Sequence, residues 1–356
     1  MHHLALLQQL PIPLLQWYQE HARVLPWRSH PTPYRVWVSE IMLQQTRVAA
    51  VLSYFQRFLA ALPAVSDLAA VPDDQLMKLW EGLGYYSRAR NLKKAALQIM
   101  ERFGGVFPHT YEDILSLSGI GPYTAGAISS IAFGIPTPAV DGNVLRVTAR
   151  ITGFDGDITA PLSKRILGDA VGEIVPIRQP GDFNQALMEL GATVCLPNGA
   201  PLCALCPAAG FCTAHLEGRT GDLPVKTPKK PRRVEERTVF LLFHGDSVAL
   251  RKRPEKGLLS GLWEFPNVLG DGEGALEQWH IPPGQKGEIQ GGTHIFTHIE
   301  WHMTAEAIVL PEDALPAGWV WADEARLRHQ YALPSAFSPF LPLVERYLSG
   351  GVQGRL

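Results

Sequence analysis

The sequence predicts a multidomain protein, an all-α domain followed by an α+β domain, and three features of it say so. From Leu14 to about Leu216 apolar residues recur at helical spacing, as in Val48, Val51, Leu52, Phe55 and Phe58, with Pro and Gly as punctuation. Residues 221–237, "GDLPVKTPKKPRRVEER", then bring three prolines and six Lys or Arg with no periodicity, the composition of an exposed linker. Beyond it "TVFLLFHGDSVALRKR" reads as two strands joined by a turn at 244–247, "THIFTHIEWHMTAEAIVL" as further strand, and residues 336–347 as a helix. The expected domains are 1–220 and 238–356, with the linker between them.

The opening "MHHLALLQQLPIPLLQWYQE" has a short apolar stretch but no basic flank and no small-residue cleavage site, so it reads as a first helix and not as an export signal. A chain of 356 residues that is 46% hydrophobic supports two cores. No apolar run reaches the roughly 18 residues of a membrane span, and no membrane partner is expected. Four cysteines are too few for a disulfide scaffold of this length, which points to a reducing, cytoplasmic setting.

All four thiols lie in the loop "CLPNGAPLCALCPAAGFC", residues 195–212, as Cys195, Cys203, Cys206 and Cys212. Structural zinc sites pair their ligands in two short C-x2-4-C knuckles, whereas iron–sulfur clusters accept four thiolates at less symmetric spacings. The spacing here, seven, two and five intervening residues, favours a [4Fe-4S] cluster over zinc. Four unligated buried thiols are disfavoured, because the loop is rich in Gly and Pro and poor in apolar material.

A net charge of −2 does not announce a nucleic-acid binder, but local charge is more informative. In "YYSRARNLKK" two tyrosines precede Arg88, Arg90, Lys93 and Lys94, a pairing suited to phosphates and a stacked base, although such a run also occurs as a solvated helix face. In "YEDILSLSGIGPYTAGAI" a helix is stopped by Gly119 and another is opened by Pro122. Gly119-Ile120-Gly121 between them forms a tight hairpin that bares backbone N–H groups at a helix start, a place for a phosphate.

The pattern L-x-G-x-G-x-x-T-A, the downstream cysteine loop and "VDGNVLR" between them resemble the helix-hairpin-helix DNA glycosylases of the endonuclease III superfamily. With "LPWR", "WVSEIMLQQT", "EGLGYYSRARNLKKA" and "NQALMELGATVC", the resemblance narrows to the adenine DNA glycosylases that act opposite 8-oxoguanine, and it covers nearly the whole chain. One departure is visible: seven residues separate Cys195 from Cys203 where that family has six.

Removing adenine proceeds through an oxocarbenium-like transition state, so an acid must protonate the departing base and an anion must stabilise the sugar cation. Glu40 lies in the apolar run "VWVSEIML", where burial raises a carboxyl pKa; Asp141 precedes a helix, where N–H groups and the macrodipole favour its ionised form. On the residues alone, Glu40 also reads as a surface acid of an amphipathic helix and Asp141 as a simple N-cap. The resemblance implies that Glu40 is the general acid and activates water, that Asp141 stabilises or captures the cation, and that Asn143 and Tyr123 support them. It also implies that Gly119, Gly121 and Thr124 hold DNA phosphate, that Gln45 and Tyr85 fill the stack vacated by the flipped base, and that Trp27, Arg28 and Gln185 line the adenine pocket. Strand-cleaving relatives carry a lysine at the position of Tyr123, so a monofunctional enzyme is expected.

In the second domain "RPEKGLLSGLWEFPN" looks like the GLWEFP segment of the Nudix fold, without the R-E-x-x-E-E array that would hold magnesium. The resemblance assigns lesion recognition to Phe296, Thr297 and His298, which on the residues alone also fit a buried strand. Two other classes, a non-catalytic DNA clamp and a Nudix nucleotide hydrolase, are opposed by the intact Glu40 and Asp141 and by the missing glutamates. The implied partner is duplex DNA with adenine opposite 8-oxoguanine or guanine, bound by a monomer at the nucleoid.

Overall fold

A computed structural model describes residues 3–228 and 231–350 of the protein; Lys229 and Lys230 of the expected linker lie outside the described residues. The chain divides into two units. One takes in the chain up to Ala70 and from Arg90 to the end of the described linker; the other joins Val71–Ala89 to the chain beyond the linker. Residues 71–89 therefore group with the C-terminal part, although they fall inside the stretch read as the first domain. Among the described residues no helix is long and apolar enough to cross a membrane.

The first unit holds no strand among its described residues. Its helices are α1 (Pro11–His21), α2 (Pro26–Ser29), α3 (Pro33–Leu43), α4 (Val48–Ala61) and α5 (Val65–Ala70); then, after α6 (Asp73–Trp80) of the other unit, α7 (Ser87–Phe103, whose first three residues belong to the other unit), α8 (Tyr111–Leu115), α9 (Pro122–Phe133), α10 (Gly142–Thr152), α11 (Pro161–Gly172), α12 (Pro180–Thr193) and α13 (Thr213–Leu216). Proline opens α1, α2, α3, α9, α11 and α12, where its missing N–H is one the helix would leave unbonded anyway. The helical spacing read in α4 is real: Val51, Phe55 and Phe58 are its buried face.

One core joins the start and the end of this unit. Leu14, Trp17 and Tyr18 of α1 pack with Val144, Val147 and Ile151 of α10 and with Phe183, Leu187 and Leu190 of α12. Contact between α10 and α12 is close at Gly191, where a Cβ would stand 2.6 Å from the Cβ of Asn143. Any larger residue would push α12 away from the start of α10.

The hairpin forms as its residues require, with one adjustment. Thr110 caps α8 by accepting the Asp113 N–H, and α8 ends at Leu115, a turn before Gly119. Gly119 has φ +75°, in the left-handed region, and a Cβ there would lie 2.5 Å from Asn91 Cβ, so both conformation and space demand glycine.

The second unit is built on a sheet. Its strands are β1 (Arg233–His244), β2 (Ser247–Lys252), β3 (Trp263–Glu264), β4 (Asn267–Leu269), β5 (Gln285–Ile295), β6 (Ile299–Val309) and β7 (Trp319–Ala322). The order is β3-β2-β1-β6-β5, with β4 paired to β1 and β7 to β2. β1 runs parallel to β6 and antiparallel to β2, whose turn at Gly245 and Asp246 matches the reading of the sequence. Period-two alternation gives the sheet two faces: Val239, Leu241 and Phe243 enter one core, Phe240 and Leu242 another. Helices α14 (Ala275–Gln278), α15 (Glu324–His329) and α16 (Leu341–Ser349) complete the unit, and the expected C-terminal helix begins as a 3-10 turn, Ser335–Phe340. The linker is shorter than expected, because residues 233–237 pair with β6 as the first part of β1.

Candidate active site

A cavity of about 880 Å³ opens in the first unit among α3, the loop after it, α9, the start of α10 and α12. Eight residues singled out from the sequence line it: Trp27, Arg28, Glu40, Gln45, Tyr123, Asp141, Asn143 and Gln185. They come from six separate stretches of chain, so the fold is what assembles them.

Glu40 sits on the buried face of α3, only 5% exposed. Burial pushes its carboxyl up to about 7, the nearby Asp141 adds to the rise, and a hydrogen bond from Tyr123 with the charge of Arg28 opposes it. The Tyr123 hydroxyl donates to Glu40 Oε2, and its oxygen lies 3.2 Å from Met188 Sδ. Burial and the two adjacent carboxylates hold that phenol well above its ordinary value.

Asp141 is the N-cap of α10, accepting the Val144 N–H at 2.8 Å, and Asn143 Nδ2 donates to its other oxygen at 2.7 Å. The helix start was expected to keep this carboxyl acidic. Burial instead raises its pKa, against the lowering effect of the Val144 and Asn143 bonds and the Arg146 charge. The two carboxyls are therefore shifted in the same direction. Asn143 is fixed by Arg146, whose Nη2 donates to Asn143 Oδ1 at 2.9 Å and to the Gly191 carbonyl at 2.7 Å, while its Nε donates to the Cys195 carbonyl at 2.8 Å.

On the opposite wall, Glu189 is 1% exposed and paired with two arginines, Arg23 at 2.5 Å and Arg28 at 2.8 Å. The Tyr18 ring lies 5.5 Å beneath the Arg28 guanidinium, and Trp27 meets Phe55 edge-on. Glu189, Arg23 and Met188 were not singled out from the sequence. The signal was present for Glu189: it stands four residues after Gln185 in "NQALMELGATVC", on the same side of a helix.

Gln45 lines the cavity, whereas Tyr85, Gly121, Thr124 and residues 296–298 are not gathered there. Gln45, exposed at the end of α3, has φ +56°, unusual for a residue with a side chain. Tyr85, in the second unit, has φ +46° and is 45% exposed, whereas Tyr86 is core. The Tyr85 hydroxyl is 3.0 Å from Thr297 Oγ1. Residues 296–298 form the turn between β5 and β6, not a buried strand: Thr297 and His298 are exposed, and Phe296 packs edge-on against Trp301. Arg88 is misread by its place in a basic run. It is buried, donates to the Leu83 and Gly84 carbonyls and covers Trp80. Thr124 is also buried, accepting a bond from Gln44, so only its backbone can serve a phosphate; Gly121 is exposed, with open space where a side chain would be.

The four cysteines line one small cavity of about 20 Å³, walled by Val147 and Ile151 of α10 and Leu190 and Val194 of the α12 end. The helices thus supply the apolar cover that the loop lacks. Arg150 Nη1 donates to Cys195 Sγ at 3.3 Å, and the Cys212 thiol lies 3.4 Å from the Arg150 carbonyl. Cys195 and Cys212 are buried and Cys203 and Cys206 partly exposed; four thiols around one cavity with a guanidinium against one of them are a donor set suited to a thiolate-bound centre of net negative charge. In the second unit Glu264 of "GLWEFP" is buried and tied to Arg251 at 2.8 Å and to Arg253, a structural ion pair.

Residues 38–172 match the family described as "HhH-GPD superfamily base excision DNA repair protein", and residues 238–343 match the NUDIX domain. With the hairpin and the two-carboxylate pocket, they define a helix-hairpin-helix base-excision DNA repair protein carrying a Nudix-like C-terminal domain. The chain is 36% identical to the adenine DNA glycosylase of Mus musculus over 86% of its own length and 72% of that protein, and 34% identical to that of Homo sapiens over 96% and 75%. It belongs to the adenine DNA glycosylase family. Among solved structures it is similar to a thermostable thymine-DNA glycosylase, with TM-score 0.53 and 26% identity over 60% of this chain and 98% of that one.

Proposed function

We propose that the protein is a monofunctional glycosylase that removes adenine mispaired with 8-oxoguanine or guanine from duplex DNA. The observation that carries this reading is the pocket in which Glu40, bonded to Tyr123, and Asp141, held by Asn143, line the same cavity. The flipped adenine enters with its sugar toward the carboxyls. Glu40 gives its proton to a ring nitrogen as the bond from C1′ to the base breaks, the bonding pair leaving with adenine. Ionised Asp141 faces the positive charge at C1′. Water then adds to C1′ and loses a proton to the Glu40 carboxylate, leaving free adenine and an abasic site. Single-turnover adenine release from duplexes with adenine opposite 8-oxoguanine, guanine or thymine tests this reading. Release confined to the first two is expected; none from either would reject it.

Tyr123 sits where a strand-cleaving enzyme needs an amine, and a phenol forms no imine. Borohydride added during turnover is expected to trap no enzyme–DNA adduct, and strand breaks to appear only after alkali or heat. Efficient trapping would identify another amine as nucleophile.

Cys195, Cys203, Cys206 and Cys212 are the residues that would hold a [4Fe-4S] cluster, whose chemistry there is to cross-link the loop through four Fe–S bonds against the ends of α10 and α12. Protein isolated anaerobically is expected to contain about four irons per chain, one per thiolate, and little zinc. Stoichiometric zinc by elemental analysis would overturn the assignment.

A further inference from the structure

A second cavity of the first unit, about 850 Å³, shares Tyr123, Asp141 and Gly142 with the pocket just described and extends away from it toward α11. Its wall has a different charge. Lys164 and Arg165 of α11 and Lys226 of the linker line it, with Asp169 the acidic residue on the α11 side. Lys164 and Arg165 are exposed and make no ion pair among the described residues. The first pocket is mixed in charge, with Glu189 paired to Arg23 and Arg28 and with Arg47 in the same lining as Glu40 and Asp141; the recess beyond Asp141 presents the exposed Lys164 and Arg165, which suit a phosphodiester.

We propose that this recess binds the DNA strand that carries the target nucleotide, with Lys164 and Arg165 gripping a phosphate next to the flipped adenosine. The inference rests on the glycosylase reading for the orientation of the strand. A nucleotide whose sugar lies beside Asp141 has its neighbouring phosphates within one linkage of the shared wall, and the cations stand on the far side of that wall. Gripping the strand there draws the sugar toward Asp141 without adding a charge to the base pocket.

The test uses the full-length protein and a duplex with 2′-fluoro-2′-deoxyadenosine opposite 8-oxoguanine, in which the electron-withdrawing fluorine slows glycosyl cleavage so that binding is measured alone. Affinity is followed against salt for wild type, for the double variant Lys164→Gln/Arg165→Gln, and for Arg178→Gln as a control that lines neither cavity. The slope of log affinity against log salt should become shallower by about one for each side chain that loses a phosphate, with Arg178→Gln unchanged. A second series replaces single phosphates flanking the fluoroadenosine with uncharged methylphosphonate. At one linkage the wild type should lose affinity and the double variant should lose no more. An unchanged slope, an equal effect of Arg178→Gln, or additive losses at every linkage would each overturn the recess. Failure of wild-type protein to release adenine from an unmodified duplex would reject the glycosylase reading instead, so the two failures are distinct.

Discussion

Glu40→Gln is expected to bind the mispaired duplex and to lose adenine release by about 10²- to 10⁴-fold, the range a positioned general acid supplies. The amide keeps the shape and the contact with Tyr123 and has no proton of suitable acidity to give. Since burial holds the Glu40 carboxyl at about 7, the wild-type kcat/KM should fall as pH rises through 7 and the acid form is depleted. That alkaline limb should vanish in the variant. Stability gives a second readout. A carboxyl raised from its ordinary 4.5 to about 7 favours folding fully below the lower value and loses that contribution as pH rises through the higher one. Wild type should therefore lose melting temperature relative to Glu40→Gln between about pH 4.5 and 7, with no further loss above that. Excision by the variant near the wild-type rate would remove Glu40 from the chemistry.

Asp141→Asn is expected to slow excision by about 10²- to 10³-fold, comparable to the loss of one preorganised charge-stabilising group. Asparagine is as good an N-cap as aspartate, so α10 should persist. The new side chain has one oxygen where two donors, the Val144 N–H and Asn143 Nδ2, now find one each. The unmatched donor costs about 1–3 kcal/mol, a modest fall in melting temperature beside the loss of rate. Single-turnover rates and thermal melts on the same preparations separate the two effects. A rate within tenfold of wild type would leave Asp141 a helix cap and nothing more.

Much of this was legible in the residues, for identifiable reasons. Pro and Gly marked the hairpin because φ at Gly119 and the blocked N–H of Pro122 admit few alternatives. The burial of Glu40 was legible because six apolar neighbours leave an α-helical glutamate little solvent. What escaped was tertiary. Nothing local distinguishes Arg88, folded back onto Trp80, from Arg90 two residues on, since the difference lies in which face of α7 is covered. The direction of the Asp141 shift is not legible locally, because desolvation by walls from distant parts of the chain outweighs the helix start. Glu189 carried a spacing signal, but its two arginines stand more than 160 residues earlier in the chain.

The packing of α1 against α12 has a consequence for synthesis. A ribosome adding about 5–20 residues each second exposes Glu40 many seconds before the last turn of α12 emerges. Until then Leu14, Trp17 and Tyr18 lack their partners, and the wall that bears Gln185 and Glu189 does not exist. A nascent chain that already displays the hairpin therefore has no chamber in which to cut a glycosidic bond. The pocket is complete only once α12 has been made and packed on α1.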